Sequence, residues 1–270
     1  MTMMIENNLF WLLVCGHLIG DFYLQTEEMA NGKKKERNIL YKHALIYALV
    51  LLVAISPVLN SDIFIYVYLP VVISHFFIDL LKVKIQFKRN SESFITRNIF
   101  LVDQIAHIAI VIIFACIYAN DSTIALNQFG QNLLSFYQTL GMIMTSSILL
   151  RIVFVFLLIG KPGNIIIREI NNKEKIRGNI MTNGTDTGKE GIEETEYKNA
   201  GKLIGILERI LVVILVMLNQ YAAVGIIFAA KSLTRYDKIV KDPSFAEYYL
   251  VGTLLSLLIA IAAVLSIQPI

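Results

Sequence analysis

The chain has 270 residues, of which 56% are apolar, 17% charged and 10% aromatic, with a formal net charge of +3 and a mean hydropathy of +0.63. Soluble domains run nearer ~45–50% apolar with about a quarter charged, so a soluble enzyme is excluded as the leading reading. A disordered chain lacks this aromatic content, and a disulfide scaffold does not place its cysteines, here Cys15 and Cys116, inside apolar runs. The expected fold class is all-α: a polytopic integral membrane helical bundle.

In chain order the apolar runs are residues 9–24, 41–59, 63–81, 99–119, 133–160, 203–233 and 248–267, each judged against the ~20 residues a helix needs to cross hydrocarbon. The sixth is too long for one crossing at ~1.5 Å per residue unless strongly tilted, and it carries Asn219-Gln220 in its middle. It reads as a hairpin or re-entrant pair, 203–218 and 221–233, which brings the total to seven or eight hydrophobic helices. Three parts follow: 1–160, five helices; 161–202, a polar loop; and 203–270, the hairpin with the last helix. Gly201 and Gly205, four apart, predict close helix packing.

The cations orient this arrangement. Lys33, Lys34, Lys35, Arg37 and Lys42 fill the first loop, and Lys82, Lys84, Lys88, Arg89 and Arg97 the third. Eight more lie from Lys161 to Lys202, and Lys231, Arg235, Lys238 and Lys241 precede the last helix, making 22 of the 24 Lys and Arg. If the sixth segment enters and leaves on one side, all 22 share a face, which the positive-inside rule makes cytoplasmic. Both termini are then outside. Residues 1–8 carry Glu6 and no basic residue, so the first helix is expected to be retained rather than cleaved. The stretch 171–199 reads as a cytoplasmic loop. Its glycosylation-like Asn183-Gly184-Thr185 lies on the wrong side, and residues 184–189 lack the spacing of a phosphate loop.

All four histidines fall in the first 107 residues, and three stand one helical turn from an aspartate: His17 with Asp21, His75 with Asp79, and Asp103 with His107. Spacing of i,i+4 puts both side chains on one helix face. Counted from the expected cytoplasmic ends at Thr26, Val83 and Asn98, the aspartates lie 4 or 5 residues in and the histidines 8 or 9. That makes a carboxylate layer about 6–8 Å deep and an imidazole layer about 12–14 Å deep, shared by three helices of different direction. His43, Gln25 and Gln104 reach the same pocket from the shallow side.

Ionisable groups in hydrocarbon cost roughly 2.5–3.5 kcal/mol each on insertion scales, so six at matched depths point to a use. Three adjacent carboxylates repel unless neutralised, and the first four helices hold no Arg or Lys at that depth. Metal cations are therefore expected, with His17, Asp21, His75, Asp79, Asp103 and His107 as ligands. This donor set suits a divalent metal, zinc foremost, or manganese or iron, as one ion or two. Arg151 and Arg209, roughly 10–14 Å deep, are level with the imidazoles. Arg151, without an acidic neighbour in sequence, is the better anion clamp, while Glu208 can neutralise Arg209. Lys231 and Arg235, i,i+4 at a helix end, read as a snorkelling pair or a head-group or substrate contact.

Gly16-His17-Leu-Ile-Gly-Asp21-Phe-Tyr-Leu-Gln25, His43-Ala-Leu, His75-Phe-Phe-Ile-Asp79 and Asp103-Gln104-Ile-Ala-His107 resemble the N-terminal part of a bacterial family of polytopic membrane proteins catalogued as domain of unknown function 3307. Gly205-Ile-Leu-Glu208-Arg209, Ala230-Lys231-Ser232, Ala246-Glu247-Tyr248 and Gly252-Thr253-Leu-Leu-Ser256 look like sequences that accompany it. The resemblance implies the bacterial inner membrane and carries no established activity. More distantly, His75-Phe-Phe-Ile-Asp79 is similar to the His-x-x-x-Asp of membrane-bound metal-dependent hydrolases, whose Thr-His-Arg and Thr-His-Ser phrases are absent.

The leading expectation is a metal-dependent hydrolase acting from the cytoplasmic leaflet on a membrane lipid or isoprenoid phosphate or ester. Arg151 would hold the anion and His43 or an aspartate would serve as base, with Gln25, Gln104, Arg209, Lys231 and Arg235 as substrate contacts. The alternative is a transporter or channel for a metal ion or protons, using the same layers and supported by Asn219-Gln220. A metal or redox sensor is a third. No nucleic-acid partner is expected, and a homo-oligomer is compatible with all three.

Overall fold

A computed structural model describes residues 8–33, 36–87, 98–121, 124–139, 146–170 and 192–267. Every regular element among them is a helix. Five are long and apolar enough to cross a membrane, namely Arg37–Ile55, Ser61–Gln86, Ile99–Tyr118, Ser147–Ile170 and Pro243–Leu265, and Asn8–Leu24 and Tyr221–Leu233 are shorter apolar helices. This composition is compatible with a multi-pass membrane protein. The chain divides into two compact units, Met1–Phe154 with Pro269–Ile270, and Val155–Gln268.

In the first unit α1 (Asn8–Leu18) runs on as a π-helical turn, Ile19–Leu24. A one-turn helix, α2 (Glu27–Gly32), follows, capped by the Thr26 hydroxyl accepting from Met29 N. Then come α3 (Arg37–Ile55), α4 (Leu69–Phe87, led in by Ser61–Ile63 and a π turn Phe64–Tyr68) and α5 (Ile99–Asp121). Helix α3 buries Leu40, His43, Tyr47, Leu51 and Ile55, and exposes Leu45, Leu49 and Val53. Polar groups inside and aliphatic ones outside are compatible with a helix set in lipid.

α1 and α3 meet at two glycines. A Cβ on Gly20 would stand 2.9 Å from the Tyr47 ring, and one on Gly16 would stand 3.0 Å from Ala54 Cβ. The close approach therefore needs Gly16-x-x-x-Gly20, the small-residue spacing that lets membrane helices touch. At the far end from the first loop's cations, Leu9, Leu13, Leu51, Ile55, Val67, Val71, Val111 and Ala115 are fully buried, an apolar floor beneath the polar groups described below.

Among the described residues the expected run 133–160 falls on two helical stretches, the first beginning before it. An uncharged amphipathic helix, α6 (Gln128–Thr139), precedes α7 (Ser146–Ile159), and residues 140–145 lie outside the described residues. The start of α6 is tied to the turn after α3 by Asn127, whose amide donates to Ser56 O at 2.7 Å and Leu59 O at 3.1 Å. The sequence-based boundary fails because an apolar stripe, Phe129, Leu133 and Phe136, mimics a spanning run when polarity on the other face is averaged in.

In the second unit, 161–170 is helical, 171–191 lie outside the described residues, and α8 (Ile192–Met217) starts inside the stretch expected to be loop. Asn219 at φ 58° makes the turn into α9 (Tyr221–Leu233), a left-handed position that Asn tolerates. Lys231 of α9 pairs with Glu208 of α8, which requires the two helices to run back along each other, as the expected hairpin does. After α10 (Tyr236–Lys241), α11 (Pro243–Leu265) starts with Asp242 as N-cap and Pro243 in its first turn. Arg209 is buried and donates to Ile159 O at 2.7 Å, Asn164 Oδ1 at 2.6 Å and Ser256 Oγ at 3.3 Å. A guanidinium bonded to three neutral acceptors ties α7, 161–170 and α11 to α8. Glu208, expected to neutralise it, is paired with Lys231 instead. Among the described residues nothing lies within 4 Å of a Cβ built on Gly201. Gly205 faces the Arg209 guanidinium and Asn164, while Arg235 is exposed.

Candidate metal centre

Four helices of the first unit bring the four histidines and three aspartates together. α1 supplies His17 and, on its π turn, Asp21; α3 supplies His43; α4 supplies His75 and Asp79; α5 supplies Asp103 and His107. A π turn widens the helix by one residue and recurs at functional sites. All four imidazoles are buried, His17 and His43 completely, and Asp79 and Asp103 are 3% and 4% exposed.

At the centre, His43 Nε2 faces His75 Nε2 at 3.2 Å. Asp21 Oδ1 stands 3.3 Å from the first and 3.5 Å from the second, and Asp79 Oδ2 stands 3.4 Å and 3.8 Å from them. Ligands around a tetrahedral zinc with bonds of ~2.0–2.1 Å stand about 3.3–3.4 Å apart. The His43–His75 edge thus forms a three-donor triangle with either carboxylate at nearly the spacing one ion requires. His43, expected to reach in from the rim, is at the middle. Its place on the first turns of α3 looks shallow only when helix ends are counted as level.

The triads able to hold an ion are His17, Asp21 and His75; His43, His75 and Asp79; and Asp79, Asp103 and His107. Consecutive triads share His75 and then Asp79, so the donors form one chain. Buried atoms without a hydrogen-bond partner among the described residues include His17 Nε2, His43 Nδ1, His75 Nδ1, His107 Nδ1, Asp21 Oδ1 and Asp103 Oδ1. So many unmet polar atoms in one cluster are what a set of ion-binding donors would show. The rings are packed as well: His75 lies 4.2 Å from His107 between centroids, tilted by 35°, and Tyr47 lies flat on His75 at 3.5 Å and 5°. The Tyr47 hydroxyl stands 3.4 Å from His17 Nδ1.

Two lysines overturn the expectation that no cation lies near these carboxylates. Lys33 Nζ donates to Asp79 Oδ2 at 2.6 Å and to Gln25 Oε1 at 2.7 Å, and Lys82 Nζ donates to Asp103 Oδ2 at 2.7 Å. Both count as loop or helix-end residues in sequence, but a lysine stem of four methylenes carries its charge ~6 Å from the backbone. Lys82 lies three residues after Asp79 and so shares its face. Gln104 Nε2 links two carboxylates, donating to Asp103 Oδ2 at 3.2 Å and Asp21 Oδ2 at 3.3 Å.

Arg151 is buried on α7 with its guanidinium carbon 5.9 Å from the centre of the Trp11 ring. Trp11 is ~9 Å along α1 from His17. Lys33, Lys82 and Tyr47 were missed by sequence reasoning. The i,i+3 relation of Lys82 to Asp79 was a signal for the second, but nothing local marks Lys33 or Tyr47.

Residues 9–135 match a family described as protein of unknown function (DUF3307), which supports the resemblance carried by the His and Asp motifs. The matched stretch spans every residue from His17 to His107. No curated protein and no solved structure matches the chain.

Proposed function

We propose that this protein is an integral membrane metal-dependent hydrolase that acts, from the cytoplasmic half of the bilayer, on a lipid or isoprenoid phosphate or ester. The observation that carries this reading is the His43–His75 pair at 3.2 Å with a carboxylate on either side. With one carboxylate as the third donor and a water as the fourth, the set would have the pattern of catalytic rather than structural zinc. A divalent ion, zinc foremost or else manganese or iron, would polarise the scissile oxygen and lower the pKa of a water. With Asp79 as ligand, Asp21 is left free 3.3–3.5 Å from both imidazoles and can take that water's proton. His17, Asp103 and His107 would hold a second ion or fix the first set.

The apolar floor under the cluster favours an enzyme over a channel, because a conducting path would have to continue beneath His17 and Tyr47 through Leu13, Leu51 and Val111. Asn219, part of the support for transport, turns the α8–α9 hairpin. The similarity of His75-x-x-x-Asp79 to membrane-bound metal-dependent hydrolases leans the same way. In this reading the five long spans, α1 and the two hairpin helices make eight hydrophobic helices, both termini are outside, and the membrane is the bacterial inner one.

The test is metal content by plasma mass spectrometry on detergent-purified wild type and Asp79→Ala, followed by a screen of phosphate and carboxylic esters. Stoichiometric metal and turnover, lost together in the variant, are expected. Wild-type protein that takes up no zinc, manganese or iron would overturn the proposal.

A further inference from the structure

The carboxylates that would hold a metal are already occupied by ammonium groups. Resting on the metal-centre reading, we infer that Lys33 and Lys82 are an anion clamp for a phosphate-bearing substrate, shut on Asp79 and Asp103 and released when a divalent cation takes those carboxylates. Metal and phosphate then bind in that order.

The argument starts from shared atoms. Asp79 Oδ2 accepts from Lys33 Nζ at 2.6 Å and is also the oxygen 3.4 Å from His43 Nε2. An ion bonded to that oxygen at ~2.0–2.2 Å would bring a doubly charged centre within a few ångströms of the ammonium. Like charges at that separation and in that burial repel by far more than one remaining hydrogen bond returns. Asp103, a donor of the triad with Asp79 and His107, turns Oδ1 to His107 Nδ1 at 3.9 Å while Lys82 holds its Oδ2 at 2.7 Å, so an ion there would share the carboxylate, though not the same oxygen, with Lys82. Both lysines are able to leave. Lys33 follows a single helical turn, α2, and ends a long flexible stem; Lys82 Nζ is bonded to Asp103 from a side chain 22% exposed.

Once released, the two ammoniums leave Asp79 and Asp103 to the ion and remain tethered at the rim of the centre. Gln104 Nε2, which spans Asp103 and Asp21 at 3.2 Å and 3.3 Å, adds a neutral donor beside them. Two positive point charges with an amide next to a metal are the complement of a phosphate, whose oxygens carry formal charge. A neutral ester carbonyl would leave both ammoniums unpaired. The rim lies at the ends of α1, α4 and α5 nearest the loop cations, and the flanking faces of α4 and α5 expose Phe77, Leu81 and Ile105, so a phosphate can enter while an attached chain stays in lipid.

The experiment uses full-length protein in nanodiscs, manganese as the ion and inorganic phosphate as the first probe. Manganese uptake is followed by loss of the free-ion resonance, and phosphate binding by the 31P relaxation that bound manganese induces. Wild type is expected to bind manganese and then phosphate, and Lys33→Gln/Lys82→Gln to keep manganese while binding phosphate roughly tenfold or more weakly. A second readout needs no variant: acetylation of Lys33 and Lys82 in wild type, read by mass spectrometry, should rise several-fold with manganese and fall again with phosphate. Nanodiscs with or without phosphatidic acid separate the sources, since a lipid phosphate would lower acetylation with no free phosphate added. Manganese uptake with unchanged lysine reactivity, or phosphate held equally without manganese, overturns the clamp alone. No manganese uptake by wild type overturns the metal centre and the clamp with it.

Discussion

His43 and His75 come from neighbouring helices, α3 and α4, and point their Nε2 atoms at each other across 3.2 Å with a carboxylate oxygen of Asp21 and one of Asp79 on either side. Two imidazoles in this relation cannot both present a proton to the gap, so at least one offers a lone pair to it. The edge they form is common to the two triangles that Asp21 or Asp79 completes, and His75 also belongs to the triad with His17 and Asp21.

The first prediction follows from that sharing. His43→Ala and His75→Ala should each abolish stoichiometric metal, whereas Gln104→Ala, which removes only a hydrogen bond to Asp21 and Asp103, should weaken metal affinity by about 10–100-fold, the cost usual for an outer-sphere partner. Competitive titration with a metal-binding dye separates the two classes.

Tyr47 is held by its ring more than by its hydroxyl. Tyr47→Phe keeps the face lying 3.5 Å from His75 and loses only the 3.4 Å approach to His17 Nδ1, so it should cost about 0.5–1.5 kcal/mol. Tyr47→Ala empties a fully buried site and should cost ~3–5 kcal/mol. Thermal unfolding in detergent, followed by circular dichroism, reads both.

Gly20→Ala should destabilise by roughly 1–3 kcal/mol, because the new methyl meets the Tyr47 ring at 2.9 Å and that ring is pinned against His75. Gly201→Ala should be neutral or stabilise by about 0.5–1 kcal/mol, since its methyl meets nothing and alanine favours the helix. An equal loss from both would show that α1 and α3 tolerate separation.

In the second unit Lys231→Met should leave Glu208 as an unpaired, largely buried carboxylate, and Glu208→Gln should do the converse to Lys231. Each is expected to cost up to ~3–5 kcal/mol, and the double variant much less than their sum. Additive losses in a double-mutant cycle of unfolding would dissolve the pairing.

The all-helical fold, the five helices long and apolar enough to cross a membrane and the pairing of His17, His75 and His107 with aspartates one turn away were legible in the sequence, because each is written in local terms: run length against bilayer thickness, and a spacing of four against 3.6 residues per turn. The hairpin at Asn219 was legible for the same reason, since two adjacent polar side chains interrupt a run too long for one crossing. The α6 boundary was not, because averaging hides a polar face.

What only the tertiary structure decided is which of these groups touch. The sequence put His43 at the rim; packing of α3 against α4 puts it at the centre, facing His75. Lys33 belongs to a loop in sequence, 46 residues from the carboxylate it binds, and Tyr47 is one more apolar-run aromatic until its ring is found on His75. Helical periodicity fixes the face and depth of a side chain on its own helix. It says nothing about the rotation and separation of that helix relative to its neighbours, which here are set by contacts distant in sequence, such as Gly16 and Gly20 against α3. The ligand types were therefore determined by the sequence, and the pairing of His43 with His75, and the lysines lying on two of the aspartates, by the packing of the helices.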